Sequence, residues 1–372
     1  MFTRRNFFAQ SGAFAAAALS TRAATSKRAD DFIIVEGHRD IWEQSTRSRL
    51  KDPEQRWPLA NFIVPRLIDG GLSVVIMPAG GDSIEERDDE QEMFEGSMRV
   101  LDFILSDLER AGAKVAIIKT RADVPSTPNR GKVQFFLDLE GGGSIQTNAP
   151  EPGFVPERSL ALLRQFFRLG VRGMQLTHNG RNQLGDGRAI DKLGSRLTPF
   201  GVAVVQEMNR LGMMIGVSHL SANGLFHVAE ISKTPIVSTH QNLERFVKSK
   251  PLVEIMDEEA KVIAKTGGIV GIRYIANVTT YKMLVDEIEY LAKLIGVEHI
   301  GVGWLGHDKA NPSGREVEGH ITRTYSGVEA QTMREHWEGF IGMLSERGLT
   351  DSQIGLILGG NYLRLWKQIL PA

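Results

Sequence analysis

The stretch that decides the fold reads LTPFGVAVVQEMNRLG (197–212), MMIGVSHLS (213–221), ANGLFHVAEISK (222–233) and TPIVSTHQN (234–242). Two apolar, strand-like runs, Met213 to Val217 and Pro235 to Val237, close on His219 and His240, with a helix-length segment between them. Strands that alternate with helices pair in parallel, and in such sheets chemistry gathers at the carboxyl ends of the strands. Two histidines at neighbouring strand ends therefore face one mouth.

Working outward, the same pattern recurs. Apolar runs begin near residues 32, 72, 133, 173, 213, 235, 268 and 300, with helical segments between them. Thr198-Pro199 supplies an N-cap and a first-turn proline to one helix. The stretch Arg87–Gly112 places Met93, Met98, Leu101, Ile104, Leu105 and Leu108 at helical spacing, as a helix packed on a sheet requires. Eight strand–helix units predict an α/β protein with a (β/α)8 TIM barrel, as one catalytic domain over residues 31–372.

The 372 residues carry 42% hydrophobic and 24% charged side chains, a globular balance. Residues 1–30 hold five Lys and Arg and one acidic residue, which leaves 39 against 44 elsewhere, a balance of −5. Nothing in that balance suggests a nucleic-acid partner. With no cysteine, a metal site must draw on His, Asp and Glu. At the amino terminus, Thr3-Arg4-Arg5-Asn6-Phe7-Phe8 precedes an uncharged, alanine-rich run. This resembles a twin-arginine export signal, and predicts a periplasmic location with no permanent membrane anchor.

Five of the eight strand ends offer His, Asp or Glu: His38 and Asp40, Glu140, His178, His219 and His240. His38 and Asp40 are two residues apart, so an extended chain points both to one face. Singly, each residue has an ordinary reading as a core or surface group. Their concentration at one kind of position points to a site, whereas His227, His299, His320 and His336 show no such placement. Imidazole nitrogen and carboxylate oxygen suit Zn²⁺, and one carboxylate can bridge two ions and help generate a hydroxide nucleophile near neutral pH.

The phrases EGHRD, LDLEGG, GVRGMQLTHN, LTPFGVAVVQEMNRLGMMIGVSHLS, STHQN and GGNYLRLW occur in the order and spacing of the membrane (renal) dipeptidase family, within the amidohydrolase superfamily. The resemblance runs from Phe32 to Trp366. It implies two zinc ions per chain, one on His38 and Asp40, the other on His219 and His240, with Glu140 bridging. His178 would contact the substrate, a dipeptide or similar small amide. A homodimer is a further possible implication, since dimers occur among such proteins.

Two departures concern substrate handling. The family pattern has an aspartate where this chain has Leu305, so His307 or Asp308 is expected to assume its proton-transfer role. An arginine that pairs with the substrate carboxylate after strand six is also missing at the matching distance, and Arg245 is the first substitute among Arg245, Lys248 and Lys250. The alternative is a protein that retains metal but is hydrolytically silent, or acts on a substrate other than a dipeptide in a binding or tailoring role.

Overall fold

A computed structural model describes residues 28–39, 57–82, 93–128, 130–146, 156–247, 254–275, 278–305 and 332–372. Asp40, His307, Asp308, Lys248, Lys250, His320 and the amino-terminal signal up to residue 27 lie outside the described residues.

The strands are β1 (Val35–Glu36), β2 (Val74–Gly81), β3 (Val115–Ile117), β4 (Val133–Glu140), β5 (Gly173–Gln175), β6 (Met214–Gly216), β7 (Ile236–Ser238), β8 (Ile269–Arg273) and β9 (Ile300–Trp304). All pair in parallel, in the order β1-β2-β4-β5-β6-β7-β8-β9. The chain leaving β1 closes the ring, because the N–H groups of Gly37 and His38 donate to the carbonyls of Val302 and Gly303, each at 2.9 Å. The predicted eight-stranded barrel is therefore present. The sequence reading passed over β3, a three-residue strand that lies off this circuit against the start of β4.

The helices are α1 (Val64–Asp69), α2 (Met93–Ala111), α3 (Pro156–Leu169), α4 (Pro199–Leu211), α5 (Ala222–Ile231), α6 (Asp257–Lys265), α7 (Tyr281–Ile295), α8 (Met333–Glu346), α9 (Asp351–Gly355) and α10 (Asn361–Ile369). Thr198 caps α4 by accepting the Gly201 N–H at 3.0 Å, and Gly212 ends it in the left-handed conformation. Phe200, Val204, Val205 and Met208 fall on the buried face of α4, as a period of 3.6 demands. No helix among the described residues is long and apolar enough to cross a membrane.

Strand alternation separates two cores. On β4, Val133, Phe135, Leu137 and Leu139 join the layer between barrel and helices. Phe136 instead joins Val35, Val74, Ile76, Met214, Val237 and Ile269 inside the barrel. With a period of two, Asp138 and Glu140 share the inward face of Phe136. From α10, Tyr362 and Trp366 enter this inner core, and Trp366 stacks on Phe136 at 4.6 Å. Tyr362 fits because glycine lines its slot: a Cβ on Gly37 would lie 2.2 Å from its hydroxyl, and one on Gly301 2.6 Å from its ring. α10 thus plugs the amino-terminal end, leaving the carboxyl end for chemistry.

The loop after β7 is tied to α7 through a buried acid. Glu287 accepts the Leu243 N–H at 2.5 Å and the Asn242 amide at 2.9 Å. Burial nevertheless pushes its carboxyl up to about 8, with nearby Glu254 adding to the rise. A raised carboxyl stabilises the fold below its unfolded value of 4.5, and that contribution is lost as pH climbs through about 8. Glu287→Gln cannot ionise, so its melting temperature should gain on that of the wild type between pH 5 and 8.5. Parallel melting curves across that range would show that Glu287 does not titrate this way.

Candidate metal centre

Each site residue is placed by the end of a strand. His38 follows β1, Glu140 is the last residue of β4, and His178 follows β5. His219 and His240 follow β6 and β7. Glu140 Oε1 lies 3.4 Å from His38 Nε2, 3.3 Å from His219 Nε2 and 3.6 Å from His240 Nε2. The His38 and His240 rings stack at 3.8 Å, and the His178 and His219 centroids are 4.6 Å apart. Ligand atoms of His38, Glu140 and His240 lie within 4.8 Å of one another, as do those of Glu140, His178 and His219. Every expected site residue that is described, except Arg245, therefore converges on Glu140.

The donor set fits a metal. Burial would raise the Glu140 carboxyl, but His38, His219 and His178 around it hold it well below the usual carboxylate range. Burial also lowers His219, against the pull of Glu140, and drives His240 further down with help from His38 and His219. His219 and His240 held towards the neutral form beside an ionised carboxylate are in the protonation states that metal binding requires. His219 Nε2 and His240 Nε2 lie only 2.7 Å apart, where two lone pairs need a proton or a cation to offset their repulsion.

Surrounding groups fix these rings. His219 Nδ1 meets Asn179 Oδ1 at 3.0 Å, and His240 Nδ1 meets Thr239 Oγ1 at 2.8 Å. Such contacts commit the outer nitrogen and leave Nε2 for the centre. His219 itself has φ of +64°, a conformation costly for a residue with a Cβ and typical of functional sites. Below the rings, Gln175 Nε2 donates to Asp138 Oδ2 at 2.8 Å and to Thr239 Oγ1 at 3.2 Å. Burial pushes Asp138 up to about 7.

Asp82, just beyond β2, escaped the sequence reading. Its Oδ1 accepts the Gly143 N–H at 2.5 Å. Its Oδ2 accepts the His178 N–H at 3.2 Å and the Asn182 amide at 2.9 Å. One carboxylate thus joins the loops after β4 and β5, and Gly141 makes room for it, since a Cβ there would lie 2.2 Å from Asp82 Cγ. The only sequence signal was an aspartate following Gly80-Gly81 at a strand end.

Arg245 is not brought to the cluster. It is half exposed, 3.5 Å from Asp257, with its guanidinium over the Tyr290 ring at 4.3 Å. His227, His299 and His336 make structural contacts, with the Leu197 N–H, the Gly268 carbonyl and the Tyr281 hydroxyl respectively.

The sequence of residues 23–371 matches the family described as membrane dipeptidase, peptidase family M19. The chain belongs to this family. It is 26% identical over 291 residues to Dipeptidase verJ of Clonostachys rogersoniana, covering 76% of this chain and 67% of that protein. It is 26% identical over 358 residues to human Dipeptidase 3, covering 91% of this chain and 65% of that protein. The chain thus spans about two thirds of the length of these curated relatives. In fold, it is similar to a metallopeptidase from Rhodobacter sphaeroides solved with a phosphinate mimic of the dipeptide L-Ala-D-Ala. That match has a TM-score of 0.73 at 19% identity and covers 91% of this chain and 100% of the other.

As a dipeptidase-family centre, the site makes two demands on its carboxylates. Glu140→Gln removes the anion all three imidazoles face, and metal retained after dialysis, measured by elemental analysis, should fall about 10–100-fold or more. An unchanged metal complement would remove Glu140 from the centre. Asp82→Ala strands the Gly143 and His178 N–H groups, so a stability loss of about 1–3 kcal/mol per unsatisfied donor is expected in chemical denaturation.

Proposed function

We propose that this chain hydrolyses dipeptides or similarly small amides with two metal ions, zinc in the first instance. The observation that carries this reading is the ionised Glu140 enclosed by the Nε2 atoms of His38, His219 and His240 at 3.3–3.6 Å. His38 and Asp40 would hold one ion, His219 and His240 the other, with Glu140 shared. When bound, such ions polarise the scissile carbonyl and lower the pKa of water towards neutrality.

The chain's own residues orient and complete that chemistry. His178 is half-buried beside His219, with its backbone fixed by Asp82, and in this reading it contacts the carbonyl oxygen as charge develops there. Leu305 cannot move a proton. It is 1% exposed within the apolar layer between barrel and helices, and its carbonyl accepts from Tyr281 at 3.1 Å. Proton transfer is therefore assigned to His307 or Asp308, just beyond it in the chain.

The Rhodobacter sphaeroides ligand supports testing dipeptides with a D-residue at the carboxyl side. The twin-arginine-like start supports export to the periplasm. The Leu305 substitution also favours a second reading, in which the metal centre persists while ordinary dipeptides are not turned over.

The deciding experiment combines metal content with hydrolysis of L,L and L,D dipeptides by protein purified without chelator. About two zinc per chain is expected, with turnover that a chelator abolishes and zinc restores. Metal without turnover would select the second reading, and protein that takes up no metal would sink both. Leu305→Asp places an acid in an apolar layer, so it should cost about 1–3 kcal/mol or more in stability rather than raise turnover.

A further inference from the structure

The barrel mouth contains a cation that the metal centre does not use. Arg273 is the last residue of β8. Two residues earlier, Gly271 faces the barrel interior, where a Cβ would lie 2.7 Å from the Tyr362 hydroxyl and 2.1 Å from the Thr239 carbonyl. The register irregularity between β8 and β9 skips Gly303 on β9, so alternation along β8 is intact. Arg273 therefore shares the inward face of Gly271, one step closer to the mouth. Its N–H donates to Asn242 Oδ1 at 3.3 Å, in the loop that also carries His240.

The guanidinium is held but not satisfied. Nη2 donates to Glu254 Oε1 at 3.1 Å, while Glu254 Oε2 accepts the Asn242 N–H at 2.7 Å. Glu254 is fully buried and the Arg273 side chain is 19% exposed. Arg273 Nε is buried and has no hydrogen-bond partner among the described residues. Among the described residues, Nη2 alone of the guanidinium nitrogens meets a partner, and a carboxylate is the acceptor whose geometry suits the terminal N–H groups that remain. Arg39 and Arg188 also leave Nε without a hydrogen bond among the described residues, but their side chains are 3% and 4% exposed against Glu36 and Glu259, whereas Arg273 keeps contact with solvent; Arg245 is held by Asp257 and Tyr290.

We propose that Arg273 is the specificity-determining residue that receives a free carboxylate of the substrate, restricting the substrate class to small amides that carry one. This rests on the hydrolase reading above, but the position differs from the loop after strand six, where the sequence resemblance placed such an arginine. Glu254 and Asn242 fix the guanidinium from behind, and the carboxylate binds its remaining donors beside the metal centre.

The test uses metal-loaded full-length protein and a dipeptide analogue with CH2–NH replacing the amide, which cannot be hydrolysed, together with its carboxamide. By calorimetry, wild type should bind the free acid about 10–100-fold more tightly than the carboxamide. Arg273→Met should lose that preference through weaker acid binding alone, and Arg273→Lys should fall between. On hydrolysable dipeptides, the loss should appear mainly in KM, with kcat changed far less.

Equal binding of acid and carboxamide by wild type, or a preference that survives in Arg273→Met, overturns the proposal. Acid preference without turnover leaves Arg273 in this role and removes the hydrolase reading. Turnover with an unchanged KM in Arg273→Met does the reverse. Should Arg273→Met fail to fold because Glu254 is left buried without its cation, Arg273→Met/Glu254→Gln removes both charges and carries the same comparison.

Discussion

The ionised carboxylate of Glu140 in a buried setting is the constraint on which the rest of this structure depends. Burial opposes its charge, and the surrounding imidazoles restore it. That balance requires several strand ends to deliver donors within 3.3–3.6 Å of one carboxylate oxygen, and the closed barrel does so. Closure depends in turn on backbone bonds between the chain after β1 and β9, and on glycine at positions where a side chain would intrude. Gly303 is such a position: a Cβ there would lie 2.8 Å from His240 Cα. The centre and the fold are therefore one problem, since Gly303 belongs to the ring and also leaves room for His240.

Much of this was readable from the sequence because strand ends announce themselves. His219, His240 and Glu140 terminate apolar runs, and alternation along β4 assigns Glu140 to the inside once Phe136 is inside. What stayed hidden depends on contacts between distant segments. Asp82 works on backbone N–H groups 61 and 96 positions away, and no local pattern marks an aspartate as their acceptor. Glu287 looks like any charge on an amphipathic helix until the loop after β7 folds over it. Arg273 reads as the polar end of a strand, whereas Arg245, nearer in sequence to the expected position, is held by Asp257 and Tyr290. β3 was missed for a plainer reason: three partly exposed residues carry too little hydrophobic signal.

Polar groups inside the barrel are graded by depth. Apolar packing fills the floor, the layer of Asp138, Gln175 and Thr239 follows, and the imidazoles and Glu140 stand above it. Each layer supports the next through hydrogen bonds, so the rings are positioned by atoms that never approach a substrate. His219 illustrates what such support can impose, since it holds a backbone conformation that a residue with a Cβ ordinarily avoids.

The plug formed by α10 has a consequence for how the molecule is made. Tyr362 fills the slot bounded by Gly37 on one side and Gly301 on the other, so the strands that close the ring share a packing partner from much later in the chain. As the ribosome releases the polypeptide, β1 and β9 can meet well before that partner emerges, but around an empty floor. Contacts of such long sequence separation are slow to form. The stacked rings of His38, on the β1 side, and His240, on the β7 side, therefore gain a packed floor beneath them only after α10 has been synthesised.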